Sequence, residues 1–133
     1  MLLPYAVRVS KVARVLGVGS DDPLLAGFRA SRVELGDADY ANGIRPDQQW
    51  TAAKLVTWVK ALESVCASAA FNARYNLPND VPELVLAAFG RRSNPEDQAL
   101  IDEVLGNNTT LTGTERHELT CLALLSSTEF LSR

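Results

Sequence analysis

From Pro46 to Tyr75 the chain runs without another proline or any glycine, and its apolar residues recur at helical spacing. Leu55, Val59, Leu62, Cys66 and Ala69 fall at i, i+4, i+7, i+11 and i+14, so a helix opened by Pro46 carries them as one stripe. At 1.5 Å per residue it would span roughly 45 Å. Lys54, Thr57, Ser64 and Ser68 mark a narrow polar strip opposite, which predicts a central helix covered on two or three sides. Ala67, Ala69, Ala70 and Ala73 are small enough for a neighbouring helix to approach closely.

The remaining segments read the same way. Pro4 suits the first turn of a helix ending at Gly17, with Tyr5, Val9, Val12 and Leu16 on its buried face and Arg8, Lys11 and Arg14 pointing away. Asp22-Pro23 starts a second helix, expected to reach about Glu34. Pro82 to Phe89 forms a third ahead of Gly90, Asn94-Pro95-Glu96-Asp97 opens a fourth that Gly106 stops, and Thr112-Gly113-Thr114-Glu115 is a capping box for the last. No stretch alternates with period two. The expected fold is therefore all-α: a single-domain bundle, residues 1–133, of five to six helices around one long central helix.

A chain of 133 residues fits one core, and 47% hydrophobic with 22% charged residues is an ordinary globular balance. The net charge of -3 disfavours a polyanionic partner such as nucleic acid, so a nucleic-acid-binding regulator ranks last among the readings. Arg8, Lys11 and Arg14 interrupt the apolar start before it could form a signal-peptide core, and no run approaches the ~20 residues that span a bilayer.

The search for reactive groups yields no catalytic residue, cofactor site or metal site. His117 is the only histidine, and its thiol neighbour at i+4 is Cys121. With Cys66 these make at most three zinc ligands, so the spacing reads as a surface histidine beside a buried cysteine. His117-Glu118 lacks the second histidine of a metalloprotease helix, because position 121 is Cys. Gly17-Val18-Gly19 follows no strand, which argues against a phosphate loop. Glu96, Asp97, Asp102 and Glu103 read as a solvated helix face, and Arg91 and Arg92 as solvated arginines beside a capped turn. Cys66 and Cys121 are two buried thiols in a reducing compartment or a disulfide in an oxidising one.

Two tryptophans stand out. Trp58 lies near the apolar stripe and reads as core, whereas Trp50 projects with the polar strip. An exposed tryptophan beside the long irregular stretch 36–45 is a candidate interface anchor, and Trp50, Lys54, Tyr40 and Arg45 form the candidate interaction surface. The alternative is that this loop or the N-terminal helix folds over Trp50.

Three short motifs in the last third are similar to a family pattern: Leu86-Ala87-Ala88-Phe89-Gly90-Arg91-Arg92, then Asn94-Pro95-Glu96-Asp97, then Cys121 through Leu131 with Ser126-Ser127-Thr128-Glu129-Phe130 inside it. Residues 82–133 thereby resemble the terminal helices of bacterial extracytoplasmic domains of unknown function. The resemblance implies a periplasmic or extracellular accessory domain, where the residues alone leave the chain either cytoplasmic or a mature or excised piece of something larger. It also lends weight to a Cys66–Cys121 disulfide, and gives the Gly-Arg and Glu-Phe pairs structural roles. The functional expectation is a non-catalytic protein-interaction or structural module that binds a protein partner or a second copy. The alternative is a small-ligand-binding domain, or a fragment of a larger extracytoplasmic enzyme, with its pocket between the central helix and the loop 36–45.

Overall fold

Helix stops and caps set most of the element boundaries. A computed structural model describes residues 2–47, 49–77, 79–106 and 110–132. Among these residues the chain forms eight α-helices: α1 (Tyr5–Leu16), α2 (Ala26–Ala30), α3 (Ala52–Cys66), α4 (Ala69–Arg74), α5 (Val81–Phe89), α6 (Pro95–Leu105), α7 (Gly113–Leu125) and α8 (Thr128–Leu131). Short 3-10 turns at Pro23–Leu25 and Tyr40–Asn42 complete the regular structure. There is no sheet among them, only isolated antiparallel bridges at Leu2–Ser132 and Asp39–Ile44. No described helix is long and apolar enough to cross a membrane.

The fold class is as expected, but the long central helix is not continuous. Residues 46, 47, 49 and 50 are irregular, and the helix starts at Ala52, capped by Thr51, whose Oγ1 accepts the Lys54 N–H. It breaks again at Ser68, whose Oγ donates to the Val65 carbonyl at 2.7 Å and accepts the Phe71 N–H at 3.2 Å. A serine that satisfies both a last carbonyl and a first amide makes a corner of what the apolar pattern alone would continue. Ser127 repeats the device between α7 and α8, bonding the Leu124 carbonyl at 2.8 Å and the Phe130 N–H at 3.2 Å. In both corners the phenylalanine three residues on, Phe71 or Phe130, is fully buried. The two corners split the central and the last of the six expected helices, which accounts for eight, while α2 ends at Ala30, short of the expected Glu34.

The buried face of α3 is also rotated from the expected stripe. Lys54, Trp58, Leu62, Val65 and Cys66 are inside, while Leu55 is 37% exposed. The Trp58 indole decides the rotation: it fills the space beside Phe28, centroids 4.7 Å apart, and its Nε1–H reaches the Leu125 carbonyl at 3.0 Å. Across from it, α2 comes close enough that a Cβ on Gly27 would lie 3.6 Å from Ala61. One apolar cluster drawn from α1 to α8 forms the core.

The three motifs behind the family resemblance converge on Arg91. Its Nη1 and Nη2 donate to the two oxygens of Asp97 at 2.9 and 2.8 Å, and its Nε and Nη2 donate to Glu129 at 2.7 Å each. Arg91 is therefore a clamp between α5, α6 and α8 rather than a solvated arginine, and Asp97 is buried rather than part of a wet face. Asp97 also closes the Asn94 capping box, and the Arg91 guanidinium holds both carboxyls below the usual carboxylate range.

Candidate functional site

The loop between α2 and α3 is tied at its base by groups that its sequence does not advertise. The Asp47 N–H donates to the Gly36 carbonyl at 3.0 Å, so residues 36–47 close on themselves as a compact surface loop. Gly36 permits the closure: its φ is +100°, and a Cβ there would lie 2.2 Å from the Asp47 carbonyl oxygen.

Beneath the closure lies Arg8, 1% exposed. Its Nε donates to the Leu3 carbonyl at 2.9 Å and its Nη2 to the Leu35 carbonyl at 2.7 Å, just ahead of Gly36. The guanidinium carbon sits 5.1 Å from the Trp50 ring and 5.5 Å from the Trp58 ring, and the two indoles meet edge to face with centroids 6.4 Å apart. No carboxylate among the described residues pairs with Arg8, and Nη1 has no acceptor among them. Arginine suits this position because its cation is delocalised, weakly hydrated and able to stack on aromatic faces. Burial lowers its pKa, opposed by the nearby Tyr5.

Lys54 completes the base. Its ammonium, 9% exposed, donates to the Asp47 carboxylate at 2.6 Å and to the Gln49 carbonyl. That hydrogen bond, with the Gln49 amide, holds the Asp47 carboxyl below its ordinary pKa.

The candidate surface of Trp50, Lys54, Tyr40 and Arg45 thus divides in two. Trp50 is half-buried and Lys54 is buried, so both belong to the pedestal; the N-terminal helix covers Trp50 through Arg8. Tyr40 and Arg45 are exposed at the tip. Helical phase failed at Trp50 because it lies ahead of the Thr51 cap, outside the helix, and at Lys54 because its partners lie outside the helix, at Asp47 and Gln49. The space between α3 and the loop, expected to hold any ligand pocket, contains the Arg8 guanidinium and the indoles.

The tip itself is braced. Asp39 and Ile44 exchange both backbone hydrogen bonds at 2.9 Å, Gly43 turns the chain at φ 73°, and the Asn42 amide bonds the Asp39 carboxylate at 2.7 Å. This short hairpin presents Tyr40 at 76% exposure beside Ile44 at 39%.

At the far end of α3, Cys66 and Cys121 are joined as a disulfide, with Sγ–Sγ 2.09 Å and both residues buried. Neither sulfur is a free thiolate for a metal or a nucleophile. His117 is half-buried rather than a surface residue: its Nδ1 accepts the Leu77 N–H at 3.2 Å, and its ring meets Phe71 with centroids 5.4 Å apart. With Nδ1 accepting, the proton of the neutral ring sits on Nε2, which is buried without an acceptor. Burial lowers the His117 pKa, opposed by Glu118, so the ring is neutral at pH 7. It borders a cavity of about 250 Å³ with Asn72, Asn76 and Thr114. Among the described residues no three His, Cys, Asp or Glu side chains are grouped to hold a metal ion. No protein-family model, curated protein or solved structure matches the chain.

Proposed function

We propose that the chain is a non-catalytic helical interaction module that offers the tip of the loop 36–47 to a protein partner. The observation that carries this reading is the contrast within one loop: an exposed Tyr40 and Ile44 on a braced hairpin, above a base fixed by buried Arg8 and Lys54. Tyrosine brings a large amphipathic contact area with few rotatable bonds, and a tip already held in one conformation loses little further entropy on binding. The disulfide supports placing the module in an oxidising compartment, as the resemblance to extracytoplasmic bacterial domains implies.

The test is site-specific photo-crosslinking in the organism that carries the chain. A photoreactive phenylalanine analogue at position 40 should trap a defined protein adduct, whereas the same group at exposed position 60 on α3 should not. Adducts of equal yield at both positions, or at neither, would remove the loop from the reading. An adduct to a second copy of the chain would make the module a homo-oligomer.

A further inference from the structure

On the face of α1 next to the one that carries Arg8, a groove is built in a way that specifies a ligand. Leu3, Val7, Lys11 and Arg14 succeed one another at helical spacing and form one wall. Ala88 and Phe89 at the end of α5 form the other, and the enclosed space is about 490 Å³, within the range of small-molecule sites. The two ends of the groove differ in chemistry. Val7 is 43% exposed in spite of its apolar side chain, and with half-buried Leu3 and Phe89 it makes an apolar surface open to solvent, floored by the buried Ala88. Lys11 and Arg14 make the other end cationic.

The charges at that end are paired with no carboxylate of the described residues. Lys11 donates to the Phe130 carbonyl and its ammonium lies 4.4 Å from the Phe130 ring centroid, but no carboxylate among the described residues is within ion-pair distance of it. Arg14 likewise has no ion pair among them. The one carboxylate lining the groove, Glu129, already has both oxygens engaged by Arg91 at 2.7 Å. Partial burial and the neighbouring Arg14 lower the Lys11 pKa, opposed by Glu129, which is the behaviour of an ammonium short of counter-charge. An ammonium has three donors, and one carbonyl and one ring face leave it undersupplied.

We propose that this groove binds a small apolar carboxylate, its hydrocarbon body against Val7, Leu3, Ala88 and Phe89 and its carboxylate on Lys11 and Arg14. Neutral or cationic ligands of the same shape lack the group that the basic end is missing. A ligand without the apolar body leaves Val7 and Phe89 in water. The site is independent of the loop 36–47 and makes no use of Tyr40.

Decanoate, kept below its micelle concentration, is the probe, titrated by calorimetry and by amide NMR shifts against decan-1-ol. Decanoate should bind saturably, about tenfold or more tighter than the alcohol, as a hydrogen bond to a charged group warrants. Its shifts should cluster at Val7, Lys11, Ala88 and Phe89. Arg14→Gln, on an exposed residue, should narrow the acid-to-alcohol preference. Val7→Asp should weaken both ligands, and melting curves of each variant establish that the fold survives. Equal binding of acid and alcohol, shifts centred elsewhere, or undiminished decanoate binding in both variants would overturn the proposal. So would self-association that Val7→Asp abolishes in a chain with no saturable decanoate site, since the groove would then be covered by a second copy.

Discussion

The two ends of α3 are fixed by opposite means. At its N-terminal end, the loop 36–47, Trp50 and the start of the helix are held by Arg8 and Lys54, through carbonyls, one carboxylate and two indole faces. At its C-terminal end a covalent bond joins Cys66 to Cys121 across a sequence separation of 55, and Ser68 turns the chain so that Phe71 and His117 can pack beside it. Directional polar contacts define one conformation of a loop but must each beat solvation in water. A disulfide fixes the separation and orientation of only the two residues it joins, yet it removes a large part of the unfolded ensemble. The protein places the first kind beneath a surface segment and the second in its core.

The largest expected effect tests the covalent end. For a loop of this length the chain-entropy argument gives about 4 kcal/mol of stabilisation, so Cys66→Ala with Cys121→Ala should lower the urea unfolding free energy by roughly that amount. Protease sensitivity of the loop 36–47 should not change under native conditions. If the loop became cleavable as stability fell, the two ends would be one cooperative unit and the comparison would collapse.

Arg8→Met comes next, at roughly 2–3 kcal/mol. The substitution keeps an apolar stem of similar length, but it leaves the Leu3 and Leu35 carbonyls without their donors, and an unsatisfied buried carbonyl costs about 1–3 kcal/mol. Arg8 has no carboxylate partner among the described residues, so its removal strands no opposite charge among them, which keeps the figure below that of a broken buried ion pair. The variant should open the loop 36–47 to limited proteolysis before the core unfolds. A gain in stability would show that desolvating the guanidinium outweighs its bonds and its indole contacts.

A smaller effect distinguishes the corner from the helix it interrupts. Ser68→Ala removes a helix cap and should cost about 1 kcal/mol in chemical denaturation, whereas Ser64→Ala on the exposed side of α3 should be close to neutral. Equal losses would mean that the corner is held by Phe71 packing and not by the serine.

What could be read from the sequence was whatever closes within a few residues. Asn94 caps α6 and the Thr112–Glu115 capping box forms as the spacing predicts, and Gly17 and Gly90 end their helices in the left-handed conformation. The break at Ser68 escaped because a serine among alanines suits a helix interior and a cap almost equally; the burial of Phe71 decides between them. The rotation of α3 escaped because the Trp58 indole finds its acceptor 67 residues away at Leu125. Arg8 was placed on the wet face for a similar reason: its carbonyl partner Leu35 and its stacking partner Trp50 belong to segments that only the fold brings to α1. The disulfide depended on compartment as well as on proximity, and spacing alone left it open. Of the candidate interaction surface, Tyr40 and Arg45 are exposed because a short loop tip has nothing to pack against.

The smallest effect is a pH dependence that separates the two ends of α3. Because Nδ1 of His117 accepts the Leu77 N–H, protonating it replaces an acceptor with a donor facing a donor and places charge beside Phe71. Burial holds the folded pKa below the unfolded value of about 6.5, opposed by Glu118. The unfolded chain then takes up the proton first, so this contribution is fully present above about pH 6.5 and is lost as pH falls through that value toward the folded pKa. At the other end, Asp47 has a carboxyl pKa depressed by Lys54, so its contribution is present above the ordinary carboxylate range and is lost only in stronger acid. Acid should therefore loosen the His117 corner first and the loop base second. His117→Gln retains a carbonyl able to accept from Leu77 but does not titrate. Between pH 7.5 and 5 the melting temperature of the parent chain should fall more than that of the variant, and amide exchange at Leu77 should accelerate over the same interval. Parallel melting profiles would mean that the imidazole finds a compensating partner when protonated, and the ordering of the two ends would then have to rest on the disulfide and Arg8 variants alone.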